Sequence, residues 1–382
     1  MRNNATVLSC LLLAALGSAA ADAATVTRAW TFKPADAAGL TLDNMIGDLR
    51  IEPASEGGFQ VTATIIVESP NEAEAERLAR AVEFRTSDAG RDSRFQVRLP
   101  EKDFPVIYVA GTARGSFFGR SYVNYLDDRR QLTGDRGKGV NVRVDLRVRV
   151  PAGATLVARN RIGEVSGEAV MADLEIDAAR GPVSLRDGRG KLEVEVGSGS
   201  VDVVRHEGEV EVDTGSGAVA IVDSRGRIAV DTGSGSVRVS GGSGEVDADT
   251  GSGTVLVENF AGSVKADTGS GSVTITGSTA ARAIDADTGS GRVRIEGDLG
   301  SLEQLKVDTG SGGATIIASA LAPLEIAMGT GSGSIEVDVP GAEVTRDGRR
   351  QAVVRIGEAR QRATIQTGSG SITLRLAPPT AD

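Results

Sequence analysis

The sequence predicts an all-β fold: a single-chain parallel β-solenoid (β-helix) with an N-terminal cap that carries one short helix. Three observations predict it. The segment Thr-Gly-Ser-Gly recurs from Thr214 to Thr367, and between its copies apolar and polar residues alternate. The chain also holds 50 glycines but only 3% aromatic residues, whereas a globular enzyme core fills its volume with large rings.

Residues 1–21 carry one positive charge, Arg2, then an apolar run from Val7 to Leu16 and the small residues Gly17 to Ala21. This is the pattern of a secretory signal peptide, with cleavage expected after Ala21 or Ala23, and its apolar run is too short to span a membrane. An exported protein is expected, periplasmic or secreted to the cell surface. The one cysteine, Cys10, lies inside that run, so the processed chain has no thiol for a disulfide, a redox site or a cysteine-ligated metal. The net charge is −10, and no run of Lys and Arg offsets it, which argues against a nucleic-acid partner.

Residues 22–153 form the expected cap. Pro34 to Leu49 (PADAAGLTLDNMIGDL) is a weak copy of Pro151 to Val165 (PAGATLVARNRIGEV), so it reads as an early coil or a capping piece of the same architecture. Strands are expected near Val61–Val67, near Phe95–Leu99 and over Val140–Val150. A helix between the first two starts at Ser69 as cap, with Pro70 in its first turn and Glu72, Glu74 and Glu76 at the positive end of its dipole. Leu78 and Val82 give it an apolar edge suited to closing an open solenoid end.

Residues 104–125 hold all three tyrosines and three phenylalanines, and from Gly111 to Gly139 the pattern reads as a long loop. Tyr108, Phe117, Phe118, Tyr122, Tyr125 and Arg120 are the candidate ligand-binding residues, with Arg114, Arg129 and Arg130 beside them. Packing of these rings into the end of the solenoid is the competing reading.

Residues 154–376 are the repetitive solenoid, followed by a tail over 377–382. The motif begins at Val196 in variant form, then at Thr214, Thr232, Thr250 and Thr268, at a constant spacing of 18. It continues at Thr288, Thr309, Thr330 and Thr367, with a coil period of 18 to 21 until residues 341–362 break the spacing. Counting back by 18 from Val196 reaches Ala178 and Asn160, with Gly181 and Gly163 in phase. Within a coil, Val246, Ala248 and Thr250 share one face while Asp247 and Asp249 share the other. One apolar face cannot fold alone, so coils stack through parallel strands about 4.8 Å apart, with a right-handed crossover expected. Corner glycines supply positive φ or close backbone approach.

An early strand pair ending in Ile46-Gly47-Asp48, a Glu/Ala-rich helix, a strand ending in Val150-Pro151 and then glycine-punctuated repeats resemble the bacterial putative-adhesin family, a domain of unknown function. The resemblance runs from about Trp30 to Leu376 and is most specific in VRVPAGATLVARNRIGEV, residues 148–165, and in the serial TGSG coils. It implies a parallel β-solenoid, exported or membrane-tethered, and carries over no catalytic residue.

Asp213, Asp231, Asp249, Asp267, Asp287 and Asp308 each precede Thr-Gly-Ser in step with the coil. Pepsin-like proteases share that local signature but need two aspartates sharing one proton, not six in a column. Two readings of the column stay open: corner caps that accept backbone N–H bonds, or a calcium-binding ladder of carboxylates. No other cofactor is expected. The sole histidine, His206, lies between Arg205 and Glu207 and reads as a surface residue, so neither a triad nor a zinc cluster can be assembled. The outward residues Arg238, Leu256, Thr274 and Arg294 share no character, unlike an ice-binding array. The expected function is an adhesin-like or envelope binding module without catalysis, its partner a glycan or protein of the envelope or surface. A polysaccharide-degrading enzyme using outer-face carboxylates and a purely structural spacer are the alternatives.

Overall fold

The computed structural model describes residues 24–377 apart from 35–36, 56, 90–91, 110–119, 127, 136–137, 279–280 and 360. The chain divides into two compact units, residues 1–199 and 200–382. The leader and the end of the tail lie outside the described residues.

In the first unit the early copy of the coil is a true coil. Gly39–Asn44 pairs in parallel with Thr155–Asn160, Leu40 against Leu156 and Asn44 against Asn160, while Leu49–Pro53 pairs with Val165–Glu168. The segment between these copies is therefore an insertion between neighbouring coils. Asn44 and Asn160, both fully buried, tie it in: Asn44 Nδ2 donates to the Val144 carbonyl and to Asn160 Oδ1 at 2.9 Å, and Asn160 Nδ2 donates to Gly47 O at 3.0 Å. Beyond them Asp173–Arg180 and Leu192–Ser198 continue one sheet in register.

The insertion adds the expected strands Gln60–Ser69, Asp92–Arg98 and Val140–Val150. It also contains strands the alternation did not single out. Ala24–Phe32 runs antiparallel to Gln60–Ser69, which in turn pairs antiparallel with Val140–Val150. Glu83–Ala89 pairs antiparallel with Asp92–Arg98, which joins the first coil in parallel. Trp30, Phe32, Phe84 and Phe95 cluster with centroids 4.9–6.1 Å apart, Phe32 and Phe95 buried and Trp30 and Phe84 half-buried.

The helix spans Glu72–Ala81, and its cap is Asn71 rather than Ser69: Asn71 Oδ1 accepts from the Ala73 amide at 2.9 Å and from that of Glu74 at 3.4 Å. Pro70 consequently lies outside the helix. Ala75, Leu78 and Ala79 are buried against Ala24–Phe32 and Gln60–Ser69.

In the second unit the predicted register holds. Val210–Thr214, Arg225–Thr232, Ser243–Thr250, Ala261–Thr268, Ala283–Thr288 and Gln304–Thr309 pair in parallel one after another, threonine opposite threonine. A second parallel sheet carries Val219, Val237, Val255, Val273 and Val293 in line, all at most 1% exposed.

The final coils depart from chain order. Gln361–Thr367 pairs with Gln304–Thr309 on one side and with Leu324–Thr330 on the other, and Ile372–Leu376 likewise stands between Ala314–Leu321 and Ile335–Asp338. The last coil in sequence is thus intercalated between the two before it. The break at 341–362 holds one further feature: Glu343–Asp347 and Gln351–Arg355 form an antiparallel hairpin that pairs along the edge of Leu324–Thr330 not taken by Gln361–Thr367. Ala352 and Val354 are buried there, and the hairpin caps an edge that would otherwise be open to another chain.

The two kinds of corner solve different problems. Positive φ falls at the corner opposite the motif, at Ala169, Asp187, Arg205, Asp223 and Asn259 as well as at Gly241 and Gly277, and in the first unit also at Gly163, Gly181 and Gly199, in phase with the motif. In the second unit the motif glycines have no positive φ and are required by close approach. A Cβ on Gly253 would overlap the carbonyl oxygen of Gly235 and lie 2.5 Å from its carbonyl carbon. Threonine then closes this corner: Thr250 Oγ1 accepts from Gly253 N at 3.0 Å and donates to Gly235 O of the preceding coil at 2.9 Å. Thr268 and Thr288 repeat both bonds.

Candidate functional site

The long loop expected over 111–139 is in part a hairpin. Arg120–Tyr125 and Asp128–Thr133 pair antiparallel, and the second strand runs parallel to Val106–Tyr108. Alternation sorts its side chains. Tyr125 turns inward, and its hydroxyl donates to the carbonyl oxygens of Val97 and Asp43; burial is the main cause pushing this phenol far above its usual range. Tyr108 is equally buried, and Arg130 Nη2 donates to Phe104 O at 2.7 Å. Tyr125 and Arg130 anchor the hairpin, and all three side chains are buried. Tyr122 faces solvent at 47% exposure, with the Arg129 guanidinium 4.3 Å from its ring centre. Phe117, Phe118, Arg114 and the side chain of Arg120 lie outside the described residues.

The hairpin borders a cleft of about 470 Å³ on the outer face of the first unit's sheet. Asn124 and Tyr125 form one wall; Arg94, Arg98, Arg159 and Arg161 line the remainder with Asp43 and Gln96. Their meeting follows from period two and register. Arg94, Gln96 and Arg98 share the outward face of one strand, and pairing sets Gln96 beside Asp43 and Asp43 beside Arg159. Gln96 Nε2 donates to Asp43 Oδ2 at 3.0 Å, Arg159 lies 3.7 Å from the same carboxylate, and Arg161 grips Asp177 with both Nη atoms. Arg94 and Arg98 form no ion pair with a described residue, and Arg98 Nε is buried without a hydrogen-bond partner there.

A second cleft, about 530 Å³, contains Asp48, Asp145 and Glu164 and is where a carboxylate-based hydrolase would be sought. Its aspartates already have structural partners. Asp145 Oδ1 accepts from Asp48 N at 3.1 Å, and Asp48 Oδ1 accepts from Glu164 N at 3.0 Å, which fastens successive coils together. Burial raises the Asp145 carboxyl, a shift its structural position explains.

A family profile described as Toastrack DUF4097 matches residues 39–375, from the first coil to the last. The chain belongs to the Toastrack family. Solved structures similar to it include a "putative cell adhesion protein" from Clostridium sporogenes, 10% identical, covering 93% of this chain and 100% of that one with a TM-score of 0.21. Another is a "putative lipid binding protein" from Parabacteroides distasonis, 12% identical, covering 91% and 96% with a TM-score of 0.36. A third is a "putative adhesin" from Bacteroides fragilis, 9% identical, covering 92% and 96% with a TM-score of 0.28. No protein of curated function matches the chain.

In this Toastrack protein the aspartate column is real: Asp213, Asp231, Asp249, Asp267, Asp287 and Asp308 are successive cross-strand neighbours, and the column ends where Asp308 meets Gln366. None of the six carboxylates accepts a hydrogen bond from a described residue, so threonine rather than aspartate caps these corners. Burial and then repulsion from Asp267 and Asp231 raise the Asp249 carboxyl; burial and then Asp267 and Asp308 raise that of Asp287. Lys265 and Lys306 are drawn instead to the neighbouring column, bonding Asp247 and Asp285 at 2.8 and 3.1 Å. Among the described residues, no group of three or more His, Cys, Asp or Glu is arranged to hold a metal ion. His206 is 4% exposed, part of a packed corner rather than the surface, and its amide donates to Ser224 Oγ at 3.2 Å. No helix among the described residues is long and apolar enough to cross a membrane.

Sequence reasoning named Tyr122 and Tyr125 but read their segment as a loop, and it missed the arginines opposite the hairpin. Arg94, Arg98, Arg159 and Arg161 are ordinary outward residues until register brings two distant strands together around the first coil.

Proposed function

We propose that this protein is an exported, non-catalytic binding module of the cell envelope, adhesin-like in role, which holds a surface glycan in the cleft beside the hairpin. The observation that carries the reading is that hairpin: it is fixed by buried Tyr125 and Arg130, it lines the cleft with Asn124, and it presents the ring of Tyr122 to solvent. Rigid backing with an exposed amphipathic ring is what sugar contact requires. The leader pattern of residues 1–21 supports export, and membership of the Toastrack family agrees with a module lacking catalytic residues.

The test is a panel of envelope and host glycans presented to the purified protein and to Tyr122→Ala. Saturable binding by the parent, weakened about tenfold or more in the variant, is expected if the ring contributes the energy of a stacking contact. Shortening of any glycan, or binding indifferent to Tyr122, contradicts the reading.

A further inference from the structure

We infer that the cleft takes a carboxylate-bearing sugar, a uronic-acid residue of an acidic glycan; the inference rests on the glycan-binding reading above and names its ligand class. Four guanidinium groups line the cleft against one carboxylate, Asp43, on a chain whose net charge is −10. A local positive site on an acidic protein concentrates anions that the remaining surface repels.

The four arginines are not equivalent. Arg161 is engaged with Asp177 in two bonds, and Arg159 is 3.7 Å from Asp43, so both are held in place by neighbours. Arg94 and Arg98 have no carboxylate partner among the described residues, and the buried Nε of Arg98 has no acceptor there. The guanidinium groups of Arg94 and Arg98 thus stand in the cleft without a compensating carboxylate from a described residue, and an incoming oxyanion would supply one. The planar fork of Arg matches a carboxylate through two parallel N–H···O bonds.

The neutral groups narrow the ligand class further. Asn124 on the hairpin wall offers an amide donor and acceptor suited to ring hydroxyls, which a bare inorganic anion does not possess. Four guanidinium groups and an amide in one cleft fit an acidic sugar better than either a neutral glycan or free phosphate.

The experiment is calorimetric titration of the purified protein with an oligogalacturonate, with a neutral galactose oligomer of matched length, and with inorganic phosphate. It is repeated on Arg94→Gln, Arg159→Gln and Tyr122→Ala after circular dichroism and melting show each variant folded. The expected result is saturable oligogalacturonate binding that falls about tenfold or more in each arginine variant and weakens with added salt, with no binding of the neutral oligomer. Equal affinity for the neutral oligomer, phosphate binding as tight as oligogalacturonate, or unchanged affinity in both arginine variants overturns the inference. Binding lost in Tyr122→Ala but kept in the arginine variants overturns the ionic assignment alone and leaves the glycan-binding reading standing. Absence of binding to oligogalacturonate and to every panel glycan overturns both.

Discussion

Replacing Gly253 by alanine is expected to destabilise the second unit by about 3 kcal/mol or more, at the upper end of overpacking effects. The argument is geometric. The Gly253 position lies over the carbonyl of Gly235, so the added methyl meets backbone rather than a side chain able to rotate away. Relief requires coils to separate along a sheet whose spacing is fixed by hydrogen bonds on both sides. Gly341→Ala is the control. That residue has φ +80° and nothing within 4 Å of a built Cβ, so alanine there meets only the left-handed backbone penalty of about 1 kcal/mol. Urea unfolding of the two variants and the parent separates crowding from backbone strain, and equal losses would contradict the close-approach account.

The second large effect sets two adjacent residues against each other. Thr250→Val keeps shape but removes the hydroxyl between Gly253 N and Gly235 O, leaving a buried donor and a buried acceptor unmatched; a loss of about 2–4 kcal/mol is expected. Asp249→Asn should act in the opposite direction at neutral pH, stabilising by a few tenths of a kcal/mol, as relief of like charges on adjacent strands does. Its pH dependence follows from the raised carboxyl. A group with a higher pKa folded than unfolded binds its proton more tightly in the folded state. Its favourable contribution is complete below about pH 4 and is lost as pH rises through the folded value. The advantage of Asp249→Asn is therefore present at pH 7 and disappears at pH 3, while the Thr250→Val deficit persists at both. Denaturation midpoints at the two pH values read the contrast directly. A corner capped by aspartate would reverse the order, with the Asp249 variant the damaged one.

The contrast shows where sequence was informative and where it was not. Period-two alternation and the recurring motif placed Val246, Ala248 and Thr250 inward and Asp249 outward, and the in-register aspartate column followed from arithmetic alone. The first coil was legible because residues 34–49 copy residues 151–165. Three things were not legible. The role of the threonine hydroxyl depends on a carbonyl in the neighbouring coil, Gly235 for Thr250, distant along the chain but adjacent in space. Intercalation of residues 361–376 joins strands out of chain order, and the shared alternation of the coils leaves that order unmarked in the sequence. The arginine cleft depends on register among strands far apart in the chain, Asp92–Arg98 and Thr155–Asn160, which the first coil brings to one face. Arg98 and Arg159, each taken alone, are ordinary outward charges. Periodicity reports faces; it does not report which faces meet.

The functional account stands on the first unit's cleft being the binding surface, and hydrogen–deuterium exchange with saturating oligogalacturonate tests that most directly. The account predicts slowed exchange in the hairpin segments Arg120–Tyr125 and Asp128–Thr133 and in Asp92–Arg98, with residues 200–382 unchanged. Protection confined to residues 200–382, or a bound ligand that leaves all three segments unchanged, would contradict it.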